Sequence, residues 1–103
     1  MKRLDDAIAQ MDDAINRDDI EEVRNLLAAG IDPNLRDACG DHFLTSAAWI
    51  GSPGLVKALL DAGADPALKG ADGLTALERL LQNNEYWDEG HDEVKRILER
   101  WDE

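Results

Sequence analysis

The feature that most constrains this chain is an internal repeat with an offset of 33 residues. Residues of the same type recur at this interval, the repeat offset, in apolar, acidic and turn-forming pairs: Ala14 and Ala47, Val23 and Val56, Leu26 and Leu59, Leu27 and Leu60, Gly30 and Gly63, Asp32 and Asp65, Pro33 and Pro66, Leu35 and Leu68, Gly40 and Gly73, and Leu44 and Leu77. A fixed period of about 20–50 residues is typical of repeat architectures, in which each unit packs mainly against its neighbours. The repeat offset therefore predicts a stack of similar units.

Each unit contains a helix with one apolar side and recognisable ends. Four apolar residues of the second unit fall on one side of a helix: Leu55, Val56, Leu59 and Leu60. Ser52 and Pro53 suit a helix start, because serine accepts a bond from a free backbone N–H and proline at the first position loses no donor. Gly63 suits the helix end. The pattern also predicts shorter apolar helices ahead of the longer ones, over residues 7–16, 43–50 and 75–82.

The stretch LVKALLDAGADPALKGADGLTAL, residues 55–77, resembles the ankyrin repeat, in which a helix–turn–helix unit and a β-turn recur every 33 residues. Ala76 stands where the family has proline, and His42 and Phe43 replace Thr-Pro in the preceding unit. Residues 90–94, GHDEV, are similar to the family's GHxEIV opening of the second helix. The resemblance implies an all-α fold: an ankyrin-like helix-turn-helix repeat stack (an α-solenoid) with short β-turn loops.

The resemblance covers nearly the whole chain and implies a single ankyrin-repeat domain over residues 1–103. The units lie roughly at 4–36, 37–69 and 70–103, with the first and last as caps of the stack. The interval from Val56 to Val94 is five positions longer than the repeat offset, which indicates an insertion near 84–91. We expect Trp101 to cover the open end of the stack.

The charge of the chain limits its partners. It has 23 acidic and 11 basic residues, so its formal net charge is -12. Such a surface repels phosphate backbones and anionic membranes, which excludes nucleic acid and membrane partners and favours a basic protein. The alternative is that the acidity only confers solubility. With a single cysteine and no apolar run of roughly 18–20 residues, we expect a cytoplasmic protein. We also expect it to be monomeric when free.

Catalytic and metal-binding motifs are lacking in the sequence. It has no Gly-rich phosphate loop, no HExxH motif and no cysteine pair, and the resemblance implies structural roles for His42 and His91. The acidic stretch EYWDEGHDE, residues 85–93, lacks the alternating carboxylates of a calcium loop, which favours a solvated acidic loop over a metal site. We therefore expect a protein that is not an enzyme and that needs no cofactor or metal.

In an ankyrin stack the turn tips and the first helix of each unit line one concave face. Carried over by position, and with Asn16 and Arg17 from the first unit, the resemblance places these partner-binding candidates there: Cys39, Asp41, Trp49, Ile50, Asp72, Leu74, Gln82 and Asn83. Two aromatic residues of the insertion, Tyr86 and Trp87, extend the face if they fold back on it. Trp49 is either an exposed binding anchor, because tryptophan is enriched at interface hot spots, or cover for a neighbouring helix. The insertion aromatics have the same alternative, in which they pack only against their own unit.

These observations favour a protein–protein interaction module whose concave acidic and aromatic face binds a partner. The more specific hypothesis is an inhibitor or immunity-type protein that masks a basic enzyme. The alternative is a regulatory or scaffolding subunit in which the acidity only confers solubility.

Overall fold

The computed structural model describes residues 4–37, 40–82 and 87–101 of the 103-residue chain. These ranges contain six helices: α1 Leu4–Asn16, α2 Ile20–Ala28, α3 Phe43–Ile50, α4 Pro53–Asp61, α5 Ala76–Leu81 and α6 Glu89–Trp101. Each odd-numbered helix pairs with the helix that follows it. The helices α1, α3 and α5 contact one another in order, and so do α2, α4 and α6. The chain is thus an all-α stack of three helix pairs in two layers, an inner layer of odd-numbered helices and an outer layer of even-numbered ones.

The ends of the helices follow from their local sequence. The Ser52 hydroxyl accepts a bond from the backbone N–H of Leu55, and Pro53 occupies the first turn of α4. Thr75 and Glu78 form a complete capping box at the start of α5, since each side chain accepts a bond from the other residue's backbone N–H. Such caps satisfy donors that the helix itself leaves unpaired. The predicted helix over 43–50 has its observed bounds, whereas α1 begins earlier, at Leu4.

The core lies between the two layers and consists mainly of aliphatic side chains. The largest fully buried residues include Phe43, Met11, Ile15, Leu55, Leu59, Leu80 and Leu98. Ala14, Ala47 and Leu80, which follow one another at the repeat offset, are all fully buried in the inner layer. The repeat offset therefore marks the same inward-facing position in each unit.

Trp101 does not form part of this core, contrary to expectation, because 45% of it is exposed. The helix α6 has 13 residues, whereas α4, the outer-layer helix that it contacts, has 9. Trp101 is the last residue of α6 and follows the buried Val94 and Leu98 along the helix.

The turn loops between helix pairs repeat the same hydrogen bonds. The Asp37 N–H donates to the Asp41 carbonyl at 2.8 Å, and at the equivalent place the Gly70 N–H donates to the Leu74 carbonyl at 3.0 Å. An isolated antiparallel bridge joins Arg36 and His42 in the first loop. Successive units are therefore closed by the same backbone bond at the base of their turn loops.

Side chains of the first loop also bond to the backbone of the second loop. The Asn34 amide donates to the Gly63 carbonyl at 3.2 Å, and its oxygen accepts from the Asp65 N–H at 2.7 Å. The buried His42 ring lies 3.1 Å from the Asn34 carbonyl oxygen and 3.3 Å from that of Lys69. These bonds hold one loop on the next, and His42 has the position expected of a structural residue.

A second tight joint connects α3 with α6. Gly51 ends α3 in the left-handed conformation, with a φ of 82°. The ring of the buried His91 packs directly on it, and its Nε2 donates to the Trp49 carbonyl at 3.0 Å. A β-carbon on Gly51 would lie 2.6 Å from the His91 ring, which is closer than real β-carbons approach other atoms. The joint therefore requires glycine both for its backbone angle and for its lack of a side chain.

We predict that Gly51→Ala destabilises the fold far more than Gly73→Ala. Gly73 has a similar φ of 78° but open space around its α-carbon, so alanine there costs only the left-handed backbone, about 1–2 kcal/mol. Alanine at Gly51 adds the clash with His91, for a total of about 3 kcal/mol or more. Urea unfolding of both variants measures the difference. Equal losses of stability would contradict the packing of His91 against Gly51.

Candidate protein-interaction surface

Two adjoining hollows lie where the inner layer meets the first turn loop. The acidic hollow, of about 490 Å³, is lined by α1 and the loop and includes Ile8, Asp12, Asp13, Asn16, Arg36 and Asp37. The Trp49 pocket, of about 140 Å³, is lined by Asn16, Asp41, Thr45, Ser46, Trp49, Ile50 and Arg79. Asn16 borders both, so the hollows form one continuous surface from α1 to α5.

The repeat offset explains why these residues meet. Residues separated by it occupy the same position on successive inner helices, so Asn16, Trp49 and Gln82 form one row across the layer. Asp13, Ser46 and Arg79 are also separated by the repeat offset and form the neighbouring row. The surface is therefore built from equivalent positions that carry different chemistry in each unit.

Carboxylates dominate the acidic hollow. Partial burial raises the pKa of Asp12, and the nearby negative charges of Asp37 and Asp13 raise it further. Asp13 also pairs with Arg17 at 2.9 Å on the exposed side of α1. Asp37 accepts bonds from the Ser46 hydroxyl at 3.3 Å and the Asp41 N–H at 3.1 Å. The raised pKa of Asp12 indicates that its negative charge is unfavourable in the free protein.

An aromatic ring and an ion pair dominate the other side of the surface. The Arg79 guanidinium lies over the Trp49 ring, 5.1 Å from its centroid, and bonds to the Asp72 carboxylate at 2.8 Å. This is a cation–π contact in the usual distance range. Trp49 thus contacts α5 on one face of its ring while 42% of the residue stays exposed.

The other candidate residues are divided between the surface and elsewhere. Ile50 is exposed and lines the Trp49 pocket together with Asp41. Leu74 is half-buried in the second turn loop, and Gln82 is exposed at the end of α5. Cys39, Asn83 and Tyr86 lie outside the described residues.

Trp87 packs against its own unit rather than against either hollow. Its ring stacks on His91 with the centroids 5.5 Å apart, and its Nε1 donates to the Asp92 carboxylate at 2.7 Å. It is nevertheless 40% exposed. The sequence left two alternatives for Trp87, folding back on the concave face or packing against its own unit. The observed contacts are those of the second.

His91 is linked to a carboxylate beside this aromatic. Its Nδ1 lies 2.8 Å from Asp88 Oδ1, and its backbone N–H donates to the same oxygen at 3.1 Å. These two hydrogen bonds lower the pKa of Asp88. Both histidines of the chain are therefore engaged in hydrogen bonds that connect one part of the fold to another.

Several residues of the surface were not singled out from the sequence, among them Asp12, Asp37, Ser46 and Arg79. The repeat offset contains a signal for two of these, since Ser46 lies one offset after Asp13 and Arg79 lies two offsets after it. The charge environment of Asp12 depends on Asp37, a residue of the turn loop, and the repeat offset does not relate the two positions.

The described ranges contain no group of three or more His, Cys, Asp or Glu residues arranged to hold a metal ion. Within the same ranges, the helices are too short or too polar to cross a membrane.

Comparison with known proteins decides the family. The family model described as ankyrin repeats in many copies matches residues 11–60, which include α2, α3 and nearly all of α4. These residues are ankyrin repeats. The resemblance seen in the sequence and the predicted all-α ankyrin-like stack are both confirmed.

The chain is also similar to part of a much larger protein. It is 39% identical, over 80 residues, to the E3 ubiquitin-protein ligase hecd-1 of Caenorhabditis elegans. The aligned region is 78% of this chain but 3% of that protein. The chain thus spans only a small fraction of the length of this curated relative.

We predict that Asp12→Asn stabilises the ankyrin stack at pH 7. A carboxyl whose pKa is raised on folding costs stability when it is charged, and this cost disappears as the pH falls through the raised pKa and the group is protonated. Because water still reaches Asp12, the gain is roughly 0.3–0.5 kcal/mol. Urea unfolding at pH 7 should show the gain, and unfolding at pH 3 should not. A variant less stable than the wild type at pH 7 would contradict the unfavourable charge.

Proposed function

We propose that this ankyrin stack binds a basic protein through the surface formed by the acidic hollow and the Trp49 pocket. Ankyrin repeats generally mediate protein–protein interaction, and the proposal adds the location and the charge of the partner. The observation that carries it is the clustering of Asp12, Asp13 and Asp37 in one hollow, where partial burial and then the neighbouring charges raise the pKa of Asp12. A partner's cations placed among these carboxylates would relieve the repulsion that the free protein carries.

Trp49 supplies the second part of the proposed interface. Buried polar and charged contacts give an interface its specificity, whereas large aromatic side chains contribute much of its affinity. Trp49 is exposed beside Ile50, and the Arg79 contact holds its ring in one orientation. A ring that is already ordered loses less conformational entropy on binding. Trp49 therefore fits the role of an anchor at the edge of the acidic surface.

In the more specific form of the proposal, the chain is an inhibitor or immunity-type protein. It would mask a basic enzyme, for example one whose own cationic site binds an anionic substrate. The net charge of -12 would steer such a partner to the surface and raise the association rate more than the final affinity. We propose no catalytic role for the chain itself, because both of its histidines are engaged in structural hydrogen bonds.

The second candidate function is a regulatory or scaffolding subunit. The similarity to hecd-1 favours it, since the aligned repeats form only 3% of that larger protein. In this alternative the partner contacts the exposed apolar side chains Trp49 and Ile50, and the acidity only confers solubility. The two candidates differ in how the interaction responds to salt and to removal of charge.

We predict that Asp12→Asn/Asp13→Asn slows association with the partner several-fold, whereas Glu21→Gln/Asp61→Asn does not. Both double variants remove two negative charges, but Glu21 and Asp61 are exposed on the outer layer, away from the surface. Proteins captured from a native lysate by the immobilised wild type would be identified, and the association rate of each measured with all three forms at low and high salt.

Retention of a basic protein by the wild type and the Glu21/Asp61 control, with slower binding to the Asp12/Asp13 variant and in high salt, would support the proposal. A partner that binds all three forms equally and is insensitive to salt would instead support the scaffolding candidate.

A further inference from the structure

The Trp49 pocket contains a buried hydroxyl without a partner. Thr45 lies in the first turn of α3 and lines the pocket, and only 4% of it is exposed. Its Oγ1 is fully buried and has no hydrogen-bond partner within the described part of the chain. Buried polar atoms are almost always bonded in native proteins, because an unpaired one forfeits the bond that it made to water. No bond to the described residues holds the hydroxyl in this orientation, so a change of the Thr45 rotamer presents it to a donor that enters the pocket.

The charges around the pocket favour a cation as that donor. Asp41 lines the pocket and is half-buried. Among the described residues of the lining, Arg79 is the one basic side chain, and the Asp72 carboxylate at 2.8 Å offsets its charge. Ser46 connects the pocket to the Asp37 carboxylate of the acidic hollow. An incoming anion would therefore meet Asp41 and Asp37, whereas a cation would find carboxylates that it can neutralise.

The volume of the Trp49 pocket limits the kind of chemical group that it can hold. Sites for small molecules and cofactors usually occupy about 300–1,000 Å³, whereas this pocket has about 140 Å³. One side chain of a partner fits this volume better than a free ligand. A lysine combines an apolar stem, which would contact Trp49 and Ile50, with a compact ammonium that carries three donors. An arginine is less suitable, because the guanidinium of Arg79 already lies over the Trp49 ring.

We propose that the Trp49 pocket takes a single lysine side chain of the basic partner, with its ammonium bonded to the Asp41 carboxylate and, after a change of the Thr45 rotamer, to Thr45 Oγ1. This inference rests on the proposed function and adds the residue type that is recognised. The acidic hollow attracts any cation, whereas the pocket distinguishes lysine from other side chains by its buried hydroxyl.

The test uses blocked tripeptides as probes. Acetyl-Gly-Lys-Gly-amide would be titrated into the ¹⁵N- and ¹³C-labelled protein, with norleucine, arginine and glutamate peptides of the same form as controls. We expect saturable NMR shifts at the Trp49 indole N–H, the Thr45 amide and the Ile50 methyl groups. The norleucine peptide, which has the apolar stem without the ammonium, should bind about ten-fold more weakly or less.

Two variants of Thr45 separate binding from stability. Thr45→Val removes the unpaired hydroxyl but keeps the shape, so we expect the Tm to rise by a few degrees and lysine-peptide binding to weaken about five-fold or more. Thr45→Ser keeps the hydroxyl but loses a buried methyl group, so we expect a lower Tm and retained binding. A purely structural role for Thr45 would make binding follow stability, which is the opposite order.

Three results would overturn the proposal: no saturable shift at the pocket, preferential binding of the arginine or glutamate peptide, or binding of the lysine peptide that Thr45→Val leaves unchanged. If the shifts map instead to α1 and respond to Asp12→Asn, the pocket proposal fails while the proposed function stands. The proposed function fails separately, if partner association ignores the Asp12/Asp13 variant.

Discussion

Hydrogen bonds between successive turn loops set the geometry on which the rest of this structure depends. Asn34 bonds to the backbone at both Gly63 and Asp65, and His42 joins its own loop to the carbonyl of Lys69. These contacts fix the spacing and rotation of one unit against the next. The inner helix that follows each loop therefore has the same spacing and rotation relative to its neighbour. Side chains separated by the repeat offset are consequently brought into rows, and neighbouring rows lie close enough for Trp49 of one unit to meet Arg79 of the next.

The two hollows of the surface act over different distances. Carboxylates such as Asp12 and Asp37 influence a partner across roughly a Debye length, about 8–10 Å at physiological salt, and therefore govern encounter. The Thr45 hydroxyl acts only in contact, when a donor has entered the pocket and lost its water. In the proposed interaction, a surface that combines both kinds of group would attract many cationic proteins and retain few of them.

The sequence predicted the fold more completely than the surface. The repeat offset and the caps at Ser52 and Thr75 depend on local chemistry, so the helices they delimit were predicted closely. The two alternatives left open for Trp49 are not exclusive in the structure, where the residue is 42% exposed and also contacts Arg79 of α5. The environment of Thr45, in contrast, depends on how loops and helices of different units pack, and no local pattern encodes that. Trp101 was placed wrongly because its helical spacing from Val94 and Leu98, both of which are buried, does not show whether the last turn of α6 is covered.

Because His91 packs on Gly51, the position of α6 does not depend on the length of the connection that leads to it. His91 anchors α6 to the end of α3 through the Trp49 carbonyl, so the helix is located by an earlier unit rather than by the connection from α5. That connection is longer than the repeat offset requires, as the interval from Val56 to Val94 shows. The position of α6 is thereby independent of the length of this connection, so residues can be added or exchanged there without displacing the helix.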